Sequence, residues 1–216
     1  MSKIIQFLIK NSTHILAAFF LFWAVWGLLN WQDLLLIQKL ILGLFALLVG
    51  HEYEEGYKER FFGLMGSAVG IDPASRKPEG ILHVSPDVYI AVMFTLALIF
   101  PNVLWLSFAC FFLAFFEGFV HTMGIFLFRL KGVSPGWYTA VIMAVYSIWA
   151  VIQIGKNMEY SGITWLWAFL WFFATFLLME MCEHRALGIT TAEFIRRMKA
   201  FAKQRLISIS PGTPLE

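Results

Sequence analysis

Six stretches of this chain are apolar for about as long as an α-helix must be to cross a bilayer. A hydrocarbon core of about 30 Å requires roughly 20 mostly apolar helical residues. The stretches run approximately over 14–30, 34–51, 86–100, 102–128, 136–155 and 162–182. The third is short and ends at Pro101-Asn102, a turn signal, so 86–128 reads as a tight helical hairpin. The expected fold class is all-α: a polytopic membrane helical bundle with about six transmembrane helices. Composition agrees, since only 14% of the 216 residues are charged, against about 25% in soluble domains. Lys3 and Lys10 precede a run long enough to span, which argues against a cleaved secretory signal.

Residues 1–188 therefore read as one six-helix membrane domain, and 189–216 as a basic amphipathic helix with a tail. Within 190–206, Phe194, Ile195, Met198, Phe201 and Ala202 fall on one face and basic residues on the other. That pattern predicts a C-terminal interfacial amphipathic helix drawn to anionic headgroups. Residues 61–70, FFGLMGSAVG, are apolar but too short to span, and are expected at the interface or in a re-entrant loop.

Orientation follows from Lys and Arg in the short loops. With six spans, Lys3, Lys10, Lys58, Arg60, Arg76, Lys77, Arg129, Lys131, Arg185 and the 196–205 basic cluster share one side. Lys156 is on the other, with Lys39 near it, so both termini are expected to be cytoplasmic. The same topology puts Cys110 and Cys182 at opposite faces, out of disulfide reach. The chain shows no internal repeat, phosphate-binding glycine loop, nucleophile elbow or dinucleotide fingerprint, and no nucleic-acid partner is expected.

Against this apolar background, three segments carry both glutamate and histidine. The second ends in HEYEE, with His51, Glu54 and Glu55 three and four residues apart on one helical side. The fourth contains Glu117 and His121, four apart, and the sixth ends in Glu180, Glu183 and His184. The topology lets all three groups meet in the cytoplasmic half of the bundle. Each helix-end group alone reads as a solvated terminus. Glu117 does not, because it lies near the midplane, where an ionised carboxylate costs roughly 2.5–3.5 kcal/mol without a partner. His14 and His83 sit at helix entrances and read as interfacial.

Carboxylates and imidazoles in such numbers suit one divalent metal ion, or two bridged by carboxylates, with Zn, Fe or Mn favoured over Cu(I). The expected metal residues are His51, Glu55, Glu117, His121, Glu180, Glu183 and His184. Glu54 or Glu55 would be the catalytic base if the reaction is hydrolysis. The zinc-protease pattern HExxH is absent, because Glu55 stands four residues after His51. Bundle di-iron sites use a Glu-x-x-His spacing, whereas Glu117–His121 and Glu180–His184 are four apart.

HEYEE at 51–55, EGFVH at 117–121 and Ser134-Pro135-Gly136, in that order, resemble the HXXEE-motif family of integral membrane proteins. The likeness covers roughly residues 15–185. It implies a metal-binding or enzymatic membrane protein and supplies no reaction. The family pattern has asparagine where this chain has Glu117, which adds negative charge. A more distant similarity is to intramembrane CAAX-type proteases, but Arg60 follows Glu54-Glu55 one residue out of their register.

The lead expectation is a metal-dependent integral membrane enzyme, favoured as a hydrolase, acting on a lipid or membrane-bound substrate from the cytoplasmic leaflet. A di-iron-type membrane oxidoreductase, a cation or proton transporter, and a non-enzymatic membrane protein remain open alternatives.

Overall fold

Long apolar runs broken only by short turns leave the backbone one way to satisfy itself, and in the computed structural model, which describes residues 2–56, 60–72 and 80–207, the regular structure is helical. Nine helices occur among them: α1 Lys3–Lys10, α2 Ser12–Leu29, α3 Leu36–Gly56, α4 Arg60–Val69, α5 Ile81–Ile99, α6 Leu104–Phe128, α7 Trp137–Asn157, α8 Gly162–Ala186 and α9 Thr191–Ile207. The helices α2, α3, α5, α6, α7 and α8 have the length and apolar composition to cross a membrane. The chain is a polytopic membrane helical bundle.

Helix α3 is its axis. In its most apolar window 61% of residues are buried inside the bundle, against 17% for α2 and α8. Helices α2, α5, α6 and α7 all pack on α3, while α6 also meets α7 and α8. Small residues permit the closest approach. A Cβ at Gly118 of α6 would lie 2.9 Å from Ala144 Cβ and 3.3 Å from Ala140 O on α7. That contact holds α6 against the N-terminal half of α7, where the site is built.

Three elements run longer than their apolar character. Helix α3 continues through HEYEE to Gly56, and α8 continues to Ala186. Helix α5 starts at Ile81 and carries Pro86 inside it, although proline removes a backbone donor there. Tertiary contacts hold this part of α5: Leu82 and Asp87 are buried, and Thr13 Oγ1 donates to Asp87 Oδ2 at 3.1 Å.

The short helix α1 adds an element to the sequence reading, and 61–70 forms α4, too short to span at about 15 Å. Helix α4 packs on α9, where Arg197 Nη1 donates to Val69 O at 2.7 Å. Phe62, Leu82 and Leu187 form a small separate core beneath them. Cys110 and Cys182 are both free thiols. Lys58, Arg76, Lys77 and the 208–216 tail lie outside the described residues.

Candidate metal centre

The inward stripe of α3 is Ile37, Ile41, Leu44, Leu48, His51, Glu52 and Glu55, all buried, at the spacing of a core-facing helix. The stripe turns from apolar to ionisable at His51 without leaving the core. On α6 the equivalent face carries Glu117 and His121. One ligand atom from each of His51, Glu55, Glu117 and His121 lies within 4.8 Å of the others, an arrangement that could hold a metal ion.

The distances fit such a role. His51 Nε2 is 3.4 Å from Glu55 Oε1 and 3.8 Å from Glu117 Oε2; His121 Nε2 is 2.5 Å and 3.6 Å from the same two atoms. Ligand bonds of about 2.0–2.1 Å arranged tetrahedrally place ligand atoms about 3.3 Å apart. Three of the four spacings are close to that, and the His121–Glu55 pair would have to open. Both histidines are 1% exposed, whereas the Glu117 side chain is 19% exposed, so the group is sealed on the histidine side and opens past Glu117. The ring of Phe61 covers His121, with centroids 5.2 Å apart.

Hydrogen bonds behind the imidazoles determine where their protons sit. His51 Nδ1 is 3.1 Å from Gly136 O, which can only accept, and 2.9 Å from Thr139 Oγ1. Thr139 gives its own hydrogen to Glu54 Oε2 at 2.6 Å, so it too accepts from His51. Ser134 Oγ donates to His121 O at 3.0 Å and therefore accepts from His121 Nδ1 at 3.1 Å. Both Nδ1 atoms thus carry hydrogen, and both Nε2 atoms face the carboxylates. His51 Nε2, His121 Nε2 and Glu55 Oε1 are buried and face one another and Glu117 at ion-pair distances. Such a buried group is stable only with positive charge among its atoms, carried by protons on the imidazoles or by a metal ion. Fixing ring orientation through Nδ1 is how proteins prepare a histidine to bind metal through Nε2.

Gly136, at the entrance to α7, closes the back of the group. Its φ is +82°, and a Cβ there would lie 2.6 Å from Glu55 Cγ and 2.9 Å from Cε1 of both His51 and His121. Only glycine suits that backbone and that space together.

Each remaining candidate residue has its own place. Glu54 points at α7, where Oε2 accepts from Thr139 N at 3.0 Å and Oε1 from Tyr138 N at 3.4 Å. It caps the first turn of that helix and, through Thr139, positions His51. On α8, His184 Nε2 is 3.3 Å from Glu180 Oε2, its Nδ1 is 3.2 Å from Thr191 Oγ1, and its ring stacks on Phe194. His184 is outside the four-residue group and ties α8 to α9. Glu180 lies within electrostatic reach of Glu117, and Glu183 within reach of Glu52, Glu55 and Glu117. The clusters on α3 and α6 merge, while that on α8 flanks them. His14 pairs with Tyr53, and His83 packs edge-on against Phe62.

The sequence reading passed over Glu52, Ser134 as an orienting group, and Thr139. Extending the α3 stripe by i+4 and i+7 from Leu48 points to Glu52 and Glu55, so Glu52 was recoverable. Thr139 has no sequence signal of its own.

Valine at Thr139 is expected to weaken metal affinity by about 10- to 100-fold, the usual cost of losing an outer hydrogen bond to a liganding histidine. Competition against a fluorescent chelator measures it; unchanged affinity would separate the Glu54–Thr139–His51 chain from metal binding.

Compared with known proteins, the chain matches no family model, no curated protein and no solved structure.

Proposed function

We propose that the chain is a metal-dependent integral membrane hydrolase acting on a lipid or membrane-bound substrate from the cytoplasmic leaflet, with both termini cytoplasmic. The observation that carries this is the convergence of two buried imidazoles and two carboxylates, one ligand atom of each lying within 4.8 Å of the others. His51, His121 and Glu55 make the tighter set, and two histidines with one glutamate form a known catalytic zinc arrangement. Glu117 stands farther from both imidazoles and on the open side, where it would take a proton from an attacking water. A divalent ion held there supplies Lewis acidity toward an ester or phosphoryl oxygen. The likeness to HXXEE-motif proteins is proposed to reflect this same centre, since the motif's first histidine and last glutamate are two of its members.

One observation favours a second reading. Buried Glu52 and half-buried Glu180 and Glu183 stand within electrostatic reach of the group, and extra carboxylates are what a di-iron oxidoreductase needs. Metal analysis of detergent-purified protein separates the two. About one Zn or Mn per chain is expected for the hydrolase and about two Fe for the oxidoreductase. No stoichiometric metal, with stability unaffected by chelator, would overturn both.

A further inference from the structure

A second feature lies on the side of the bundle away from α7. Between α5 and α8 is a cavity of about 450 Å³, within the range of small-molecule sites. Its walls are apolar, and Val88, Val92 and Leu178 on its rim are exposed, so it opens sideways into the lipid. Along α5 it runs from Ile81 to Met93, about 18 Å at 1.5 Å per residue. That is close to one leaflet, half of a core of about 30 Å.

Hydroxyls interrupt the apolar lining at Ser85 and Tyr89 on α5 and at Thr175 on α8, the last donating to Trp171 O at 2.7 Å. Ser85 and Tyr89 stand one turn apart on α5; the Ser85 hydroxyl is buried without a hydrogen-bond partner among the described residues, and the buried Tyr89 hydroxyl faces Thr175 of α8. Tyr89 is 8% exposed. A hydrocarbon tail cannot satisfy a hydroxyl, and leaving one unpaired in an apolar setting is costly. The pair therefore suits a ligand with an apolar body and a hydrogen-bonding head. Tyr89 lies within electrostatic reach of Glu117. Because α5 begins and α6 ends on the same side, Tyr89 is about 12 Å from that face and His121 about 10 Å. Tyr89, midway along the cavity, and the centre share one depth.

We infer that this cavity seats one acyl chain of a neutral lipid, with its ester or hydroxyl head turned inward to Ser85 and Tyr89. Glu117, together with Glu180 and Glu183 on α8, would repel an anionic head, and the cavity lining has, among the described residues, no charged side chain to pair with a cationic one, so the head is uncharged. As a substrate seat the inference rests on the hydrolase reading; as a lipid site it stands alone.

The test uses a diazirine-bearing monoacylglycerol as photoprobe on the full detergent-purified chain. Saturable labelling is expected on the 81–93 and 171–186 peptides, displaced by unlabelled monoolein and not by hexadecane. Val92→Trp, which fills the cavity, should abolish that labelling. Tyr89→Phe should weaken monoolein competition about fivefold, the value of one hydrogen bond. Both variants should keep the parent's metal content. Labelling spread over all lipid-facing helices, equal displacement by hexadecane, or indifference to both substitutions would overturn the seat. Absence of metal in the parent with labelling intact would overturn the hydrolase and leave the lipid site standing.

Discussion

Alanine at His121 is expected to reduce bound metal from about one ion per chain to background. The imidazole is fully enclosed, with its side chain 0% exposed and Nε2 against Glu55 Oε1. Removing it leaves a buried carboxylate facing an empty space, and breaking a buried charged pair costs about 3–5 kcal/mol. Two effects should appear together. The parent protein should lose thermal stability on adding chelator, since a ligand at 100 times its Kd stabilises by about 2.7 kcal/mol. The variant should start lower and show no response to chelator. A competing state replaces the ion with protons, pairing two imidazoliums with two carboxylates; it predicts a destabilised variant and a parent indifferent to chelator. His184→Ala is the informative comparison. With Nδ1 on Thr191 and Nε2 on Glu180, it should retain full metal content and loosen only the α8–α9 contact. Loss of metal from both variants would enlarge the centre to include α8.

The membrane bundle was legible because spanning length is a property of single segments. The six apolar runs correspond to α2, α3, α5, α6, α7 and α8, and the basic stripe beyond residue 190 corresponds to α9. Helix ends were harder to read for a physical reason. Polar residues end an apolar run but do not end a helix; HEYEE has no breaker before Gly56, and α8 stops only ahead of Gly188, at φ +77°. The second apolar run reads as ending at His51, whereas α3 carries His51 in the core with five further helical residues beyond it. The candidate site divided along the same line. Helical spacing put His51 with Glu55 and Glu117 with His121, because i, i+4 pairs share a face. Which faces meet depends on packing between helices, so spacing could not show that Glu54 turns to α7. Nor could it show that His184 turns to α9. The Ser134-Pro135-Gly136 segment entered only through a resemblance. Its contribution is conformational: Ser134 fixes the tautomer of His121, and Gly136 lets the backbone touch three side chains of the group.

Gly136 provides the second test, because a single methyl group there acts on the centre without removing any of its members. Alanine at Gly136 must adopt a left-handed backbone, costing about 1–2 kcal/mol. Its Cβ must also fit 2.6–2.9 Å from Glu55 Cγ and the two Cε1 atoms, where carbon contacts settle at about 3.5–4.0 Å. Relief requires a shift of about 1 Å, several times the roughly 0.2 Å tolerance of metal–ligand distances. Metal affinity should fall at least about 100-fold, the upper end of what outer-contact changes cost. Gly70 separates the two contributions, since its φ is +68° and a Cβ there meets nothing within 4 Å. Gly70→Ala should therefore lose stability by about 1–2 kcal/mol for the backbone alone and bind metal as the parent does. Gly136→Ala should lose more stability than Gly70→Ala and lose the metal as well. Parent-like metal affinity in Gly136→Ala would mean that the ion, if bound, sits away from the side chains this glycine touches. The centre would then have to be sought among Glu52, Glu180 and Glu183.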